Sequence, residues 1–360
     1  PPLLIHGHTD VVPAIASDWQ VDPFAGEVKD GYVWGRGAVD MKDFDAMVLA
    51  VVRERQRTRR PPRRPIRLVF AADEEAGGRK GSHWLAEHHP DLIGDCTEAI
   101  GEVGGFSLTV NDQRLYLIQT AEKGIAWLKL IAEGTAGHGS MRNPDNAVTE
   151  IASAVSRIGA YQWPTRLHPS VQQFLEAVED ALGVPIQTDE VEQTLARLGS
   201  IARLVGATVA NTANPTMLQS GYKVNVIPGQ ATAGVDGRFL PGTEDEFYAT
   251  ITDLIGPKVR YEVVNADIAV ETSFDGDLVD AMSASLLATD PGATVVPFMM
   301  SAGTDAKAWS SLGVRCFGFA PLRLPPELDF AALFHGVDER VPISALTHGC
   351  TVLDDFLDRA

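Results

Sequence analysis

Histidine and carboxylate residues recur in this chain at short spacings that suit divalent-metal chemistry. The first cluster is HGHTD (6–10). Residues two apart on a strand share a face, so His6, His8 and Asp10 can point the same way. An imidazole with a carboxylate two residues on is a sound metal ligand, the acid orienting the ring. The second cluster, GRGAVDMKD (35–43), places Asp40 just ahead of an apolar-periodic segment. Asp40 can therefore be a helix N-cap or a metal ligand. Its glycines do not form a dinucleotide loop, because that fingerprint requires Gly at position 40. The third cluster, AADEE (71–75), offers adjacent Glu74 and Glu75, whose side chains diverge. One can hold a metal while the other moves a proton, the division of labour a metal-assisted hydrolase needs. GEVGG (101–105) supplies Glu102, and FHGVDERVP (334–342) supplies His335.

Taken singly, each of these residues has an ordinary structural reading: a packed histidine, a helix cap, a solvated turn acid. Counted together, His8, Asp40, Glu75 and Glu102 fall at successive strand ends. Crowding such carboxylates is costly, since two like charges at about 4 Å repel by about 4 kcal/mol at an effective dielectric near 20. A pair of divalent ions removes the difficulty. Three ligand carboxylates against two doubly charged cations leave one positive charge, which Glu74 neutralises. A ligand set of nitrogen and oxygen without thiolate suits two hydrolytic Zn²⁺ ions, with Co²⁺ or Mn²⁺ as substitutes.

The elements that must position these residues follow from the apolar pattern. LLIHGH (3–8) and IRLVFAA (66–72) are short apolar runs ending in polar clusters, as buried parallel strands do. Between them Met41, Phe44, Met47, Val48, Val51 and Val52 recur at helical spacing. EAIGEV (98–103) reads as a further strand. Strand–helix alternation predicts an α/β layer with a mostly parallel central sheet flanked by helices, in which ligands bind at the carboxyl ends of the strands. The texture changes near Thr120. GIAWLKLIAEG (124–134) partly alternates, and a helix carries Ala147, Val148, Ile151, Val155 and Ile158. A polar, loop-rich stretch is expected up to about residue 215. Strand-like segments, a helix near 243–255 and a strand near 258–270 follow. We therefore expect residues 1–120 and 271–360 to form a catalytic metal-binding domain, with 121–270 as an inserted α+β layer. The last helix shows Ile343, Leu346, Cys350, Leu353 and Leu357 in one stripe.

Composition narrows the class. The 360 residues include 48 acidic and 30 basic side chains, a net charge of −18, and 45% are hydrophobic. Such a chain has material for a core and is not globally disordered. Its charge argues against nucleic acid as a partner, because phosphate binding needs a basic face. The local run of arginines between Arg53 and Arg67 has no aromatic interleaving and reads as a solvated helix end and loop. No 18-residue apolar run suggests a membrane span. Three distant cysteines make neither a disulfide framework nor a thiolate site, and a reducing cytoplasm is the simplest compartment. The chain opens without Met and enters a strand almost at once, which suggests that a preceding segment is missing.

As a set, GHTDVVP, GRGAVDMKD, DEEAGG, GHGS (137–140), NVIPG (225–229), DGR (236–238), GTDA (303–306) and the late FHG resemble a family of di-zinc metallopeptidases and amidohydrolases. That family includes succinyl-diaminopimelate desuccinylase, acetylornithine deacetylase, aminoacylase and glutamate carboxypeptidase. The resemblance spans nearly the whole chain. It implies one zinc held by His8 and Glu102, a second held by Glu75 and His335, and Asp40 bridging them. Asp10 would orient His8, and Glu74 would act as general base to a water between the ions. The Asp40–Met41 peptide is expected to be cis. The inserted layer would be a lid through which the chain forms a homodimer, with His138 polarising the scissile carbonyl in the partner's active site. Asn225, Arg238, Gly303, Thr304 and Asp305 would bind substrate, Arg238 suiting a carboxylate by its fork geometry.

The implied activity is hydrolysis of an amide next to a free carboxylate, in a small peptide (carboxypeptidase or dipeptidase type) or in an N-acyl amino acid (deacylase type). GEVGG differs from the GEPS-like string expected of the desuccinylase. A metal-free dimeric binding protein is the rival of another class, and it predicts a missing ligand or base where none is missing. Serine-hydrolase chemistry around Ser140 fails for want of a G-x-S-x-G elbow, and zincin chemistry for want of H-E-x-x-H.

Overall fold

The computed structural model describes residues 1–183 and 205–360. From the N-terminus the elements run β1 (Leu3–His8), β2 (Glu27–Lys29), β3 (Tyr32–Trp34), α1 (Lys42–Thr58), β4 (Ile66–Ala71), α2 (Ser82–His88), the single turn α3 (Pro90–Ile93), β5 (Glu98–Gly101), β6 (Ser107–Val110) and β7 (Gln113–Glu122). They continue with β8 (Gly124–Glu133), β9 (Gly137–His138), α4 (Ala147–Ala160), α5 (Pro169–Leu182), β10 (Thr212–Ser220), β11 (Val226–Ile227), β12 (Gln230–Phe239), α6 (Glu244–Ile255) and β13 (Val259–Asp267). The chain closes with β14 (Val270–Glu271), α7 (Asp277–Thr289), β15 (Thr294–Met300), α8 (Ala306–Ser310), β16 (Arg315–Gly318), β17 (Arg340–Pro342) and α9 (Ile343–Arg359).

The larger sheet has the order β14-β7-β16-β5-β1-β4, with β15 and β6 also on β7. The β1–β4, β1–β5, β16–β5 and β15–β7 pairs are parallel, giving the expected mostly parallel α/β sheet. Period-two geometry divides β1 between two cores. Leu3 and Ile5 join the cluster that holds Phe44, Met47 and Val48 of α1 with Leu353 and Phe356 of α9. Leu4 faces the other side, with Trp309, Ala99 and Cys316. Both faces of the strand are thus covered, which is why it reads as a continuous apolar run. His8 closes that run, in parallel register with Ala71.

A second, antiparallel sheet of order β10-β12-β8-β13 carries α4 and α6 on one face. Ala147, Ile151, Ala154 and Ile158 pack there against Phe247, Ile251 and Leu130. The chain passes between the sheets at Lys123, between β7 and β8, and again at 268–269, between β13 and β14.

Several local expectations change. Asp40 does not cap α1: Met41 occupies the N-cap position, no side-chain cap bond forms, and the Asp40 carboxylate is engaged by two imidazoles instead. The polar stretch before residue 215 contains α5, whose Val171, Phe174, Leu175 and Val178 are buried against the larger sheet's core. Its polar positions face outward, and the count of polar residues hid the helical period. The expectation for 184–204 lies outside the described residues. In α9 the buried stripe runs through Ala345, Val352, Leu353, Phe356 and Leu357, while Ile343 is exposed. Val148 likewise points outward from α4.

Candidate metal centre and substrate cleft

Three strand ends, the start of one helix and one loop deliver the polar residues to one place, so Asp40, contrary to expectation, is not at a strand end. His8 ends β1, Glu74 and Glu75 follow β4, Glu102 follows β5, and Asp40 immediately precedes the N-cap of α1. The loop before β17 brings His335. After Glu75 the chain must turn back sharply, and Gly77 and Gly78 do so with φ of 99° and 65°, a region glycine enters without steric cost.

Among the described residues two groups of donors converge: His8 with Asp40 and Glu102, and Asp40 with Glu75 and His335, all donor atoms of a group lying within 4.8 Å. His8 Nε2 is 3.0 Å from Asp40 Oδ1 and 3.3 Å from Glu102 Oε2. His335 Nε2 is 3.1 Å from Asp40 Oδ2 and 3.0 Å from Glu75 Oε2. Asp40 thus turns one oxygen to each group, and its peptide to Met41 is cis. The donors are nitrogen and oxygen only, and each group has room for one cation among convergent lone pairs, so the residues fit a pair of divalent ions. His6 is not part of this set. It is buried beside Trp309, and its ring nitrogens have no hydrogen-bond partner.

The electrostatics agree with that use. Burial opposes the His8 cation, but Glu102, Asp40 and Glu74 outweigh it and raise the imidazole far above its ordinary range. His335 is raised to about 10 by its bonds to Asp40 and Glu75. Burial pushes the Glu102 carboxyl up to about 8, against the pull of His8. Glu74 is raised well above the usual carboxylate range, first by burial and then by the charge of Glu102. It sits 3.8 Å from His8 Nε2. Perturbed groups gathered in a cleft are the electrostatic mark of a catalytic site.

Asp10 faces His8, its carboxylate 3.6 Å from His8 Nδ1, and makes closer contacts besides. His8 Nδ1 bonds the Asp10 backbone carbonyl at 3.1 Å, while its carboxylate oxygens accept the backbone N–H groups of Glu74 and Glu75, both at 3.2 Å. The carboxylate therefore grips the turn that carries Glu74 and Glu75.

A cavity of about 430 Å³ opens over the donors. One wall belongs to the second sheet, with Ile125, Trp127, Arg238, Asn265 and Asp267. Val103, Phe106, Phe298 and Phe334 form an apolar wall beside Glu102 and His335. Gly303, Thr304 and Asp305 also line it. Thr304 turns its hydroxyl and amide to buried Glu122, at 2.6 and 3.1 Å, and Asp305 takes the Ser82 hydroxyl. Arg238 lies along Asp236 in a two-bond pair at 2.7 and 3.1 Å. His138 and Asn225 are not brought to this cavity. They are exposed neighbours, joined where β9 pairs with β11 and Gly139 N–H donates to the Asn225 carbonyl.

Residues 4–359 match the profile of Peptidase family M20/M25/M40. The chain belongs to this peptidase family. It is a metal-dependent hydrolase of amide bonds, and the family's metal centre is dinuclear. The N-fatty-acyl-amino acid synthase/hydrolase PM20D1 of Xenopus tropicalis is 28% identical over 364 residues, covering 96% of this chain and 70% of the relative. The probable carboxypeptidase S-like 2 of Dictyostelium discoideum is 27% identical over 369 residues, covering 95% and 68%. The M20 metallo-carboxypeptidase Sso-CP2 of Sulfolobus solfataricus shares the fold, with a TM-score of 0.72 at 18% identity over 99% of this chain and 84% of that one.

Residues that sequence reasoning missed include Glu339, Arg36, Glu122 and the apolar wall. Glu339 and Arg36 stood inside the motifs around His335 and Asp40, so their proximity to ligands was the available signal. Glu122 lay in a strand with no neighbouring motif to mark it.

Proposed function

We propose that this M20 member hydrolyses the amide bond next to a free carboxylate, in a small peptide or an N-acyl amino acid, with two Zn²⁺ ions. The observation that carries this reading is Asp40 placed between two donor groups, with Glu74 beside them in a cleft that Arg238 also faces. His8 and Glu102 would hold one ion, Glu75 and His335 the other, and Asp40 both. When bound, such ions supply Lewis acidity to a carbonyl and to a water. Glu74 takes the proton from the attacking water and returns it to the leaving amine, a role suited by a carboxyl that burial raises well above the usual carboxylate range. Arg238 releases Asp236 to clamp the substrate carboxylate, for which its planar fork is matched. Gly303, Thr304 and Asp305 shape the same side of the cleft.

The wall of Val103, Phe106, Phe298 and Phe334 gives the other end of the substrate an apolar berth. This favours an apolar acyl group or side chain there, and with it the deacylase reading alongside the exopeptidase one.

Residues 1–120 and 271–360 are assigned to the catalytic domain and 121–270 to a lid that also dimerises, although α5 packs on the catalytic side. His138 and Asn225, outside this chain's own cleft, are assigned to the cleft of a second copy, where His138 would polarise the carbonyl. No described helix is long and apolar enough to cross a membrane, and all three cysteines are free. The reducing cytoplasm is the compartment we assign.

The test is a panel of dipeptides and N-acyl amino acids assayed with Zn²⁺, Co²⁺ or Mn²⁺ and after chelation. Hydrolysis that needs metal and a free substrate carboxylate is expected, and turnover unaffected by thorough metal removal would overturn the assignment.

A further inference from the structure

We propose that Glu339 and Arg36 form a brace that sets the second ion position, the one made by Asp40, Glu75 and His335, more strongly than the first, which it reaches through Asp40 alone. The inference rests on the two-ion reading above and concerns residues that the mechanism does not use.

Glu339 is completely buried. Its Oε1 accepts the backbone N–H groups of Val39 and Asp40 at 2.7 and 3.1 Å. Its Oε2 accepts Gly37 N–H at 3.0 Å and the Arg36 guanidinium at 2.7 Å. One carboxylate thus ties down the loop that ends in the shared ligand. The other side of the guanidinium donates to the backbone carbonyl of His335 at 3.3 Å. Arg36 is itself enclosed, its guanidinium 5.1 Å from the Trp19 ring centre. The Glu339 carbonyl also accepts Gly35 N–H at 3.0 Å, beside the β17–β3 pairing of Arg340 with Trp34.

The two donor groups depend on this brace unequally. His8 and Glu102 follow closely on the last β1–β5 pair, Ile5 with Ile100, and His8 is also in register with Ala71 of β4, so the sheet constrains them. His335 sits on a loop at φ 57°, with its side chain 54% exposed. Glu75 lies in a single 3-10 turn. Apart from the brace, the β17–β3 ladder ends at Arg340 and Trp34, some residues short of His335 and Asp40. Partners of this kind behind metal ligands change affinity by about 10- to 100-fold when lost.

The test titrates the intact, metal-stripped chain with Zn²⁺ against a chromophoric chelator, resolving two affinities. Glu339→Gln keeps the volume but turns an amide N–H₂ toward donors. Arg36→Lys keeps the charge but cannot reach Glu339 and the His335 carbonyl together. Each is expected to weaken the second ion about 10- to 100-fold and the first by a clearly smaller factor, through Asp40 alone. Activity lost at stoichiometric Zn²⁺ should return toward wild type as free metal is raised, with KM for substrate little changed. Glu339→Asp should recover part of the second affinity. If Glu339→Gln fails to fold, as judged by circular dichroism, Arg36→Lys carries the same test. Equal weakening of both ions, or loss that excess metal does not restore, would overturn the brace. A wild-type chain that binds one ion or none would instead overturn the two-ion reading on which it stands.

Discussion

Asp10 offers a prediction whose size follows from its contacts. Its two carboxylate oxygens each accept one backbone N–H, from Glu74 and from Glu75, at 3.2 Å. Asp10→Asn leaves one acceptor oxygen and turns an N–H₂ group toward the other backbone N–H. A hydrogen bond to a charged acceptor contributes about 1.5–3 kcal/mol, and each 1.36 kcal/mol is tenfold in rate. Losing one such bond should therefore lower kcat/KM by about 10- to 150-fold at saturating metal. The His8 ring should keep its place, because it is held by the Asp10 backbone carbonyl, which the substitution preserves. Initial rates across a Zn²⁺ series, with metal content and circular dichroism on the same samples, separate loss of chemistry from loss of ion or fold. Asp10→Ala, which removes both acceptors, should fall further than Asp10→Asn. A metal-loaded, folded Asp10→Asn enzyme within threefold of wild type would refute the idea that this carboxylate holds the base turn.

Three further outcomes are expected. Glu74→Gln should retain both ions and lose about 10²- to 10⁴-fold in kcat, the range for a general base; a variant with near-normal turnover would remove Glu74 from the mechanism. In the metal-free chain at pH 7, Glu102 (about 8), His335 (about 10) and the raised His8 hold protons that ligation must displace. Apparent metal affinity should therefore climb as pH rises through about 8, and calorimetry in buffers of different ionisation enthalpy should show protons released; uptake, or no exchange, would contradict the buried donor set. Lys123, buried where the chain leaves the larger sheet, donates to the carbonyls of Ala207 and Ala210 at 2.8 and 2.7 Å. Lys123→Met orphans both, and at about 1–3 kcal/mol for each unsatisfied group urea denaturation should show a loss of about 2–6 kcal/mol; an unchanged midpoint would place that ammonium outside the stability of the junction.

The strand-end donor residues and the α/β layer are legible in the sequence for one physical reason. A buried parallel strand must be apolar until it ends, so the polar residues at its end stand out and lie along one edge. His8, Glu75 and Glu102 were visible in this way. Glu339 was not, although it lies four residues from His335, because its partners are backbone N–H groups 299 to 302 positions away. The Asp10 carboxylate lies 3.6 Å from the His8 ring, and the fold also gives it two backbone donors from another strand's end that no local pattern marks. α5 was hidden by polar outward positions, and its apolar stripe acquires meaning only once β7 and β15 are there to receive it. The apolar wall joins Phe106, Phe298 and Phe334 from three separate segments, a convergence no local pattern announces.

The most direct measurement is anomalous diffraction at the zinc edge from crystals of the metal-loaded protein. Two peaks are predicted, flanking the Asp40 carboxylate, one against His8 and Glu102 and the other against Glu75 and His335. A single peak, or density remote from Asp40, would contradict the two-ion centre on which the proposed chemistry depends.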